Sequence, residues 1–377
     1  MAPNQRLENL RRHRTAIRQT AQYLPLLAVW DTAYEATTFE PMNTDAREKI
    51  ASDSNRRDPV VTVVIPCFNA ARTLSRTLES VRDQTYHNLD IVIIDDGSTD
   101  STVAIAAEFA ASDRRARLFK QPNSGVASAR NLGVSNALGE FVAPLDADDL
   151  WSPQKIELQV RKIREDATIG LVYAWFENIN DDDEIFHGGF RYHFEGKVLH
   201  ALGRVDFIGN GSNAMMRTSA IQAVGGYDDS LRTQSAEGCE DWKLALRLAE
   251  TYKFAVVPEV LIGYRHSAEN MSSRVWQMIK SAKLVAGDFS VRYPDMAGIL
   301  DQQIADRLFS NFARCLKQRR WKDASGLMIE LHSYGPKANF VRIVSEFNRS
   351  AVQFWSRLKG ELTDKQMSRL GRRRKFL

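Results

Sequence analysis

Three apolar, β-branched runs, each leading into a cluster of acids and turn formers, constrain this chain more than any other feature. They are "VVTVVIP" at 60–66 leading into "CFN", "DIVIID" at 90–95 leading into "DGSTD", and "EFVAPLD" at 140–146 leading into "ADDLW". Runs that stay apolar without alternating read as strands buried on both faces. Helical spacing lies between them. "ARTLSRTLESVRDQT" puts Leu74, Leu78 and Val81 on one face, and "TVAIAAEFAA" follows a Ser/Thr/Asp cluster able to cap it. "ARLFKQ" reads as a short further strand, and "NSGVASARNLGVSNALG" as a loop and a small-residue helix. Strands alternating with helices predict βαβ units and a parallel sheet covered by helices on both faces.

After residue 150 the pattern loosens. "IGLVYAWFENI" (169–179) reads as a strand and "DDDEIFHGGFRYHFEG" as turn-rich. "EDWKLALRLAETY" is a helix with Trp242, Ala245, Ala249 and Tyr252 on one face. "FAVVPEVLIGYRH" reads as two short strands broken at Pro258. Beyond about 275 the pattern is helical, with an apolar stripe of Ile304, Leu308, Phe312 and Cys315. Three regions are expected: a partly helical extension over 1–57, an α/β domain over 58–270, and a helical region with a basic tail over 271–377.

Composition bounds the partners. The 377 residues are 44% hydrophobic and 26% charged, as in an ordinary globular protein. The net charge of +4 is unevenly spread. Residues 1–20 carry +4 and residues 357–377 carry +6, which leaves the stretch between them at −6. An acidic body argues against nucleic acid as a partner. Basic ends suit either solvent or peripheral contact with anionic lipid. Cys67, Cys239 and Cys315 are odd in number and far apart, with no CxxC pair, which fits a reducing cytoplasm better than a disulfide framework. "YLPLLAVW" at 23–30 is too short to span a bilayer. No small-residue cleavage site follows it, so no secretory signal is expected. The expected place is the cytoplasm, including the inner face of the membrane.

In open α/β sheets, ligands bind beyond the carboxyl ends of the strands. Here those ends gather Asp95, Asp96, Asp146, Asp148 and Asp149 on one rim. A lone Asp at a strand end is commonly a turn or cap residue. So many together form an anionic rim that calls for a cation and hydrogen-bond donors. Mg²⁺ or Mn²⁺ takes few protein carboxylates and completes its shell with ligand phosphates. A nucleoside diphosphate would supply those phosphates, with ribose hydroxyls and a base N–H for the remaining acids.

At these residues the sequence resembles the inverting family 2 glycosyltransferases of GT-A fold. The stretches that carry the resemblance are "VTVVIPCFNAARTLSRTLESVRDQT", "IVIIDDGSTDST", "NSGVASARNLGVSNALGEFVAPLDADDLW" and "GCEDWKLALRLA". The resemblance covers roughly 60 to 270 and implies a Rossmann-like nucleotide-binding sheet, an acceptor-side part and a helical C-terminal extension. It implies that Pro66, Phe68, Asn69, Asp95 and Asp96 lie near the base and ribose of a nucleotide-sugar. Asn123, Gly125 and Arg130 would flank the nucleotide, with Arg130 toward the pyrophosphate. In the DxD motif, Asp146 would face ribose or sugar and Asp148 would hold the metal, with Asp149 supporting. Asp241 matches the catalytic base and Glu240 a supporting acid. A helix-start acid is otherwise an ordinary first-turn residue. His266 is assigned to metal or pyrophosphate, although a lone histidine is commonly structural. Asn210, Gly211 and Ser212 are assigned to the acceptor side, and Met215 and Met216 to the core.

The function this implies is a metal-dependent inverting transfer of one sugar from a nucleoside-diphosphate sugar to an acceptor hydroxyl on a glycan or lipid-linked acceptor. Uridine is the base expected, and surface polysaccharide or glycoconjugate synthesis the setting. "KQRRW" (317–321) falls one residue short of the Gln-x-x-Arg-Trp of processive members, so a non-processive enzyme is expected. A nicotinamide dehydrogenase would want GxGxxG where "PCFNAA" stands. A nucleotidyltransferase would want a glycine-rich loop with Arg and Lys at the same point. The remaining alternative is a non-catalytic nucleotide-sugar sensor or scaffold, which would be expected to lose the base or the metal aspartate.

Overall fold

A computed structural model describes residues 58–267, 273–335 and 375–377. The expected extension over 1–57, and the tail as far as residue 374, lie outside the described residues. The first half alternates as the sequence implies: β1 (Val61–Cys67), α1 (Leu74–Arg82), β2 (Leu89–Asp95), α2 (Thr102–Ser112), β3 (Ala116–Lys120), α3 (Val126–Ser135) and β4 (Phe141–Pro144). β1 and β2 are buried along their whole length, as non-alternating apolar strands require. β1 pairs in parallel with β2 and β4, and β2 with β3.

Next come β5 (Leu150–Trp151), α4 (Lys155–Ile163), β6 (Ile169–Ile179), β7 (Ile185–Gly188) and α5 (Leu199–Arg204). They are followed by β8 (Met215–Arg217), α6 (Thr218–Ala223), α7 (Ser230–Thr233), α8 (Glu240–Ala249) and β9 (Lys253–Arg265). The spatial order is β3-β2-β1-β4-β8-β6-β9-β5, with β7 paired to β6. β8 runs antiparallel to both neighbours, so the sheet is mixed rather than purely parallel. The break expected at Pro258 is absent. β9 is one strand, whose register against β6 jumps from Ala174↔Val257 to Trp175↔Val260. The bulge leaves Pro258 exposed, where its missing N–H costs the ladder nothing.

The two faces of β1 feed two cores. Val61, Val63 and Ile65 pack with Leu74 and Leu78 of α1 and with Ile156 and Val160 of α4. Val64 faces the other way, into a cluster with Val134, Trp242, Val285, Phe289, Leu308 and Phe312. That cluster includes α9 (Val275–Arg292), α10 (Ala297–Lys317) and α11 (Trp321–His332). The helices beyond 270 therefore share a core with the sheet, and the boundary expected there is no break in packing. α8 lies between sheet and C-terminal helices. It buries Leu244, Leu246 and Leu248 as well as Trp242, Ala245 and Ala249. A helix apolar on both sides is one enclosed on both sides. Among the described residues, no helix is long and apolar enough to cross a membrane.

Candidate functional site

The carboxyl ends of β1, β2 and β4 form the rim the sequence points to. The Asp96 N–H donates to the Cys67 carbonyl at 2.8 Å, and the Leu145 N–H to the Val64 carbonyl at 2.9 Å, so the ladder carries each acidic loop to one edge. The loops then lock to each other. Asn69, at φ +48°, accepts from the Thr99 N–H at 2.8 Å, while its own N–H donates to the Ser98 hydroxyl at 3.0 Å. Phe68 stands half exposed at this edge. Asp95 is buried and accepts from the Ser98 N–H at 3.3 Å.

Asp96, expected near the base or ribose, is buried and bonds the neighbouring loop. Its carboxylate accepts from the Ser124 and Gly125 N–H groups at 2.7 and 2.8 Å and from Gln121 Nε2 at 2.7 Å. It thereby caps the loop that starts α3. Gly125 turns that loop at φ +89°, and a side chain there would strike Glu237 and Arg232. Asn123 is held by Arg232 Nη2 at 2.6 Å.

The "DADD" loop is neutralised by two buried arginines. Arg130, from α3, donates to Asp146 Oδ1 at 2.5 Å, and its guanidinium lies 5.4 Å over the Tyr227 ring. Burial works against its charge, but Asp146, Tyr227, Glu240 and Asp241 hold its pKa above the ordinary value. Arg265, from the end of β9, donates its N–H to Asp149 Oδ1 at 2.8 Å and its Nε to the Asp148 carbonyl at 2.6 Å. Its guanidinium also pairs with Asp183. Sequence reasoning missed Arg265. The signal was available: an arginine inside "VLIGYRH" is a charge in a buried strand, which requires a partner.

Asp149 is fully buried and takes the Ser212 hydroxyl at 2.5 Å. The same hydroxyl accepts the Asp146 N–H at 2.9 Å. Ser212, assigned to the acceptor side, is itself fully buried, so it clamps the loop from beneath and has no face left for an acceptor. Asp148 is half-buried at the rim. Burial and the neighbouring Asp146 push its pKa up, against the pull of Arg265 and Arg130. An acid kept at the rim under such repulsion suits a divalent cation, with Asp146 beside it and ligand phosphates completing the shell. Among the described residues no three His, Cys, Asp or Glu side chains converge. His266 does not extend the set. Its Nε2 pairs with Asn178 Oδ1 at 2.7 Å, its ring packs edge-on against Tyr264 and Phe186, and burial lowers its pKa.

Asp241 lies in the first turn of α8 and faces a small cavity also lined by Asp206, Asn210, Gly211, Tyr227 and Trp242. Burial, then Asp206 and Glu240, push its pKa up to about 7, opposed by Arg130. Among the described residues, neither polar atom of the buried Asn210 amide has a partner. Gly211 joins this cavity to the rim: a Cβ there would lie 2.4 Å from Arg130 Nη2 and 3.1 Å from Asp146 Oδ2. Glu240 faces the other side, a second cavity shared with Ser124, Gly125 and Arg232, and accepts the Gly238 N–H at 2.6 Å. Sequence reasoning also missed Asp206 and Arg307, which pair at 3.1 Å beside this site.

The sequence pattern of glycosyl transferase family 2 matches residues 62–225. Over 228 residues the chain is 29% identical to a chondroitin synthase of Escherichia coli, which covers 60% of this chain and 32% of that protein. The chain thus spans about a third of that relative's length. Two solved structures share the fold. A mannosyltransferase from Pyrobaculum calidifontis, in complex with GDP-Man and Mn2+, matches with a TM-score of 0.52 at 18% identity, over 94% of this chain and 98% of that one. S. aureus TarS 1-349, in complex with UDP-GlcNAc, matches with a TM-score of 0.55 at 15% identity, over 74% and 82%. Residues 62–225 match the sequence pattern of glycosyl transferase family 2, and the chain shares the GT-A fold of these two structures.

Proposed function

We propose that this chain is a metal-dependent inverting glycosyltransferase that moves one sugar from a nucleoside-diphosphate sugar to an acceptor hydroxyl, in surface polysaccharide or glycoconjugate synthesis. The observation that carries the reading is the juxtaposition at Gly211. On one side is an arginine-braced acidic rim, and on the other a cavity holding an aspartate whose pKa is pushed up to about 7. The bound UDP-GlcNAc and GDP-Man of the two neighbours support a nucleotide-sugar donor, and the Mn2+ of one supports a divalent metal.

The donor's nucleoside would lie against Phe68, Asn69 and Asp95, with uridine the expected base. Arg130 would face its pyrophosphate and Asp146 its ribose or sugar. Asp148 and Asp146 would hold Mn²⁺ or Mg²⁺, which supplies charge stabilisation for the departing phosphates. Asp241 takes the proton from the acceptor hydroxyl as that oxygen forms the new bond to the anomeric carbon. The bond to the pyrophosphate oxygen breaks on the opposite side, so configuration inverts. A base acting this way makes no covalent bond to sugar. The setting proposed is the cytoplasm, with the basic ends as contacts for anionic membrane.

The test is a panel of UDP- and GDP-sugars, scored for ligand-induced stabilisation with and without Mn²⁺, followed by product analysis on glycan acceptors. Metal-enhanced stabilisation by a nucleotide-sugar and an inverted product are expected. No stabilisation by any donor, or a product of retained configuration, would overturn the reading.

A further inference from the structure

The C-terminal helices reach the base. Arg307, near the middle of α10, sends Nη2 to Asp206 Oδ2 at 3.1 Å. Its guanidinium lies 4.9 Å over the Trp242 ring, the residue next to Asp241, and its Nη1 is 4.0 Å from Cys239 Sγ. A planar guanidinium can stack on an indole and bond a carboxylate at once, which an ammonium cannot do as well. The start of α8 is tied down from the same side. The Cys239 N–H donates to the Ser281 hydroxyl of α9 at 3.1 Å, and Trp242 Nε1 donates to the Leu202 carbonyl at 3.1 Å. Asp206 in turn accepts the Gly209 N–H at 3.3 Å, which fixes the loop carrying Asn210.

We propose that Arg307 is a positioning residue for the base Asp241: it holds Asp206 and the Trp242 ring in place and adds a fixed positive charge behind the base. The proposal rests on the reading of Asp241 as base. It also gives the region beyond the matched family segment a role in the chemistry. The groups that face Asp241 are Asp206, the adjacent Glu240 and Cys239, Arg130 from α3, Tyr227, and Arg307 from α10. Asp206 and Glu240 repel a second negative charge, and the two arginines favour it. Burial opposes the charge on Arg307, but Cys239, Asp206 and Asp241 keep its pKa above the ordinary value. Without Arg307, Asp206 would stand uncompensated beside Asp241. The base would then hold its proton to higher pH, with Arg130 and the Trp242 N–H left to favour its charged form.

The experiment compares wild type with Arg307→Met and Arg307→Lys in the full chain. The first readout is the pH profile of kcat/KM. The second is the carboxyl titration of Asp241, followed by 13C NMR in aspartate-labelled protein and assigned with Asp241→Asn. Arg307→Met should move the acid limb and the Asp241 titration upward by about one unit, a tenfold loss at pH values below the limb that recovers above it. Arg307→Lys, which keeps the charge but not the planar fork, should hold the acid limb and the Asp241 titration near wild type while lowering kcat/KM evenly across the pH range. In Arg307→Met, a uniform loss at every pH with an unmoved Asp241 titration would overturn the proposal and leave Arg307 a packing residue. So would equal shifts in the Met and Lys variants. The titration needs no turnover, so a protein that proved not to transfer sugar would fail the functional reading without deciding this one.

Discussion

Arg130 and Asp146 meet at 2.5 Å on the rim, and Gly211 lies so close that one added carbon would collide with the arginine and crowd the aspartate. The pair joins the nucleotide side to the cavity of Asp241. Arg130 comes from the helix after β3, Asp146 from the end of β4, and Gly211 from the loop before β8. Three separated pieces of chain therefore set one contact.

Gly211→Ala tests that contact. The Cβ would sit 2.4 Å from a nitrogen of the buried Arg130, which is held by its bond to Asp146. The substitution should cost about 1–3 kcal/mol of stability, the usual scale of overpacking. It should also weaken nucleotide binding, because Asp146 must move with Arg130. Urea unfolding and calorimetric titration with UDP would measure the two effects. Unchanged stability and unchanged affinity would mean that the loop shifts freely.

Asp148 tests the metal. Asp148→Ala should leave the fold intact, because the bonds that tie the loop to other elements come from the Asp146 and Asp149 carboxylates and the Asp148 carbonyl, which the substitution keeps. Nucleotide binding in the variant should lose its dependence on Mn²⁺, and transfer should disappear. Wild type in EDTA should behave the same way. Full activity in either case would remove the metal from the reaction.

The strands and the rim were legible because β-branched runs and acid clusters are local signals. The braces were not. Arg265 reaches Asp149 from 116 residues away in sequence, and Ser212 reaches it from 63, so no local pattern joins them. The same limit assigned Ser212 to the acceptor: "NGS" after a glycine looks like a binding loop, and only burial shows its hydroxyl facing inward. Pro258 misled for the opposite reason. Proline is a strong local signal, but a bulge overrode it.

Ser212→Ala would remove the donor to Asp149 and the acceptor for the Asp146 N–H together. Burial, Asp148 and Asp146 push the Asp149 pKa well up, so the scale is that of a neutral buried hydrogen bond, roughly 0.5–1.5 kcal/mol. The variant should lose stability on that scale and transfer more slowly, through a displaced "DADD" loop. Chemical denaturation and steady-state rates on one donor and acceptor would check both. An unaltered unfolding midpoint would mean that the clamp contributes nothing to the fold.

Asp241 links rate and stability to pH in opposite directions. As a base it must be ionised, so the rate should climb with pH through a limb near 7, the value to which burial, Asp206 and Glu240 push it. Stability runs the other way. The folded-state pKa is raised above the unfolded value of about 3.9. Between about pH 4 and 7 the folded protein therefore binds the extra proton, and stability should fall as pH rises through that window. Asp241→Asn mimics the protonated form. It should bind donor with wild-type affinity, lose turnover by roughly 10²–10⁴, and gain stability over wild type above pH 7 while losing that advantage near pH 4. Paired melting curves at the two pH values, with single-turnover rates, would measure this. Near-normal turnover in Asp241→Asn would exclude it as the base, whatever the melting curves showed. An advantage in stability that did not depend on pH would mean that its ionisation carries no cost in the fold.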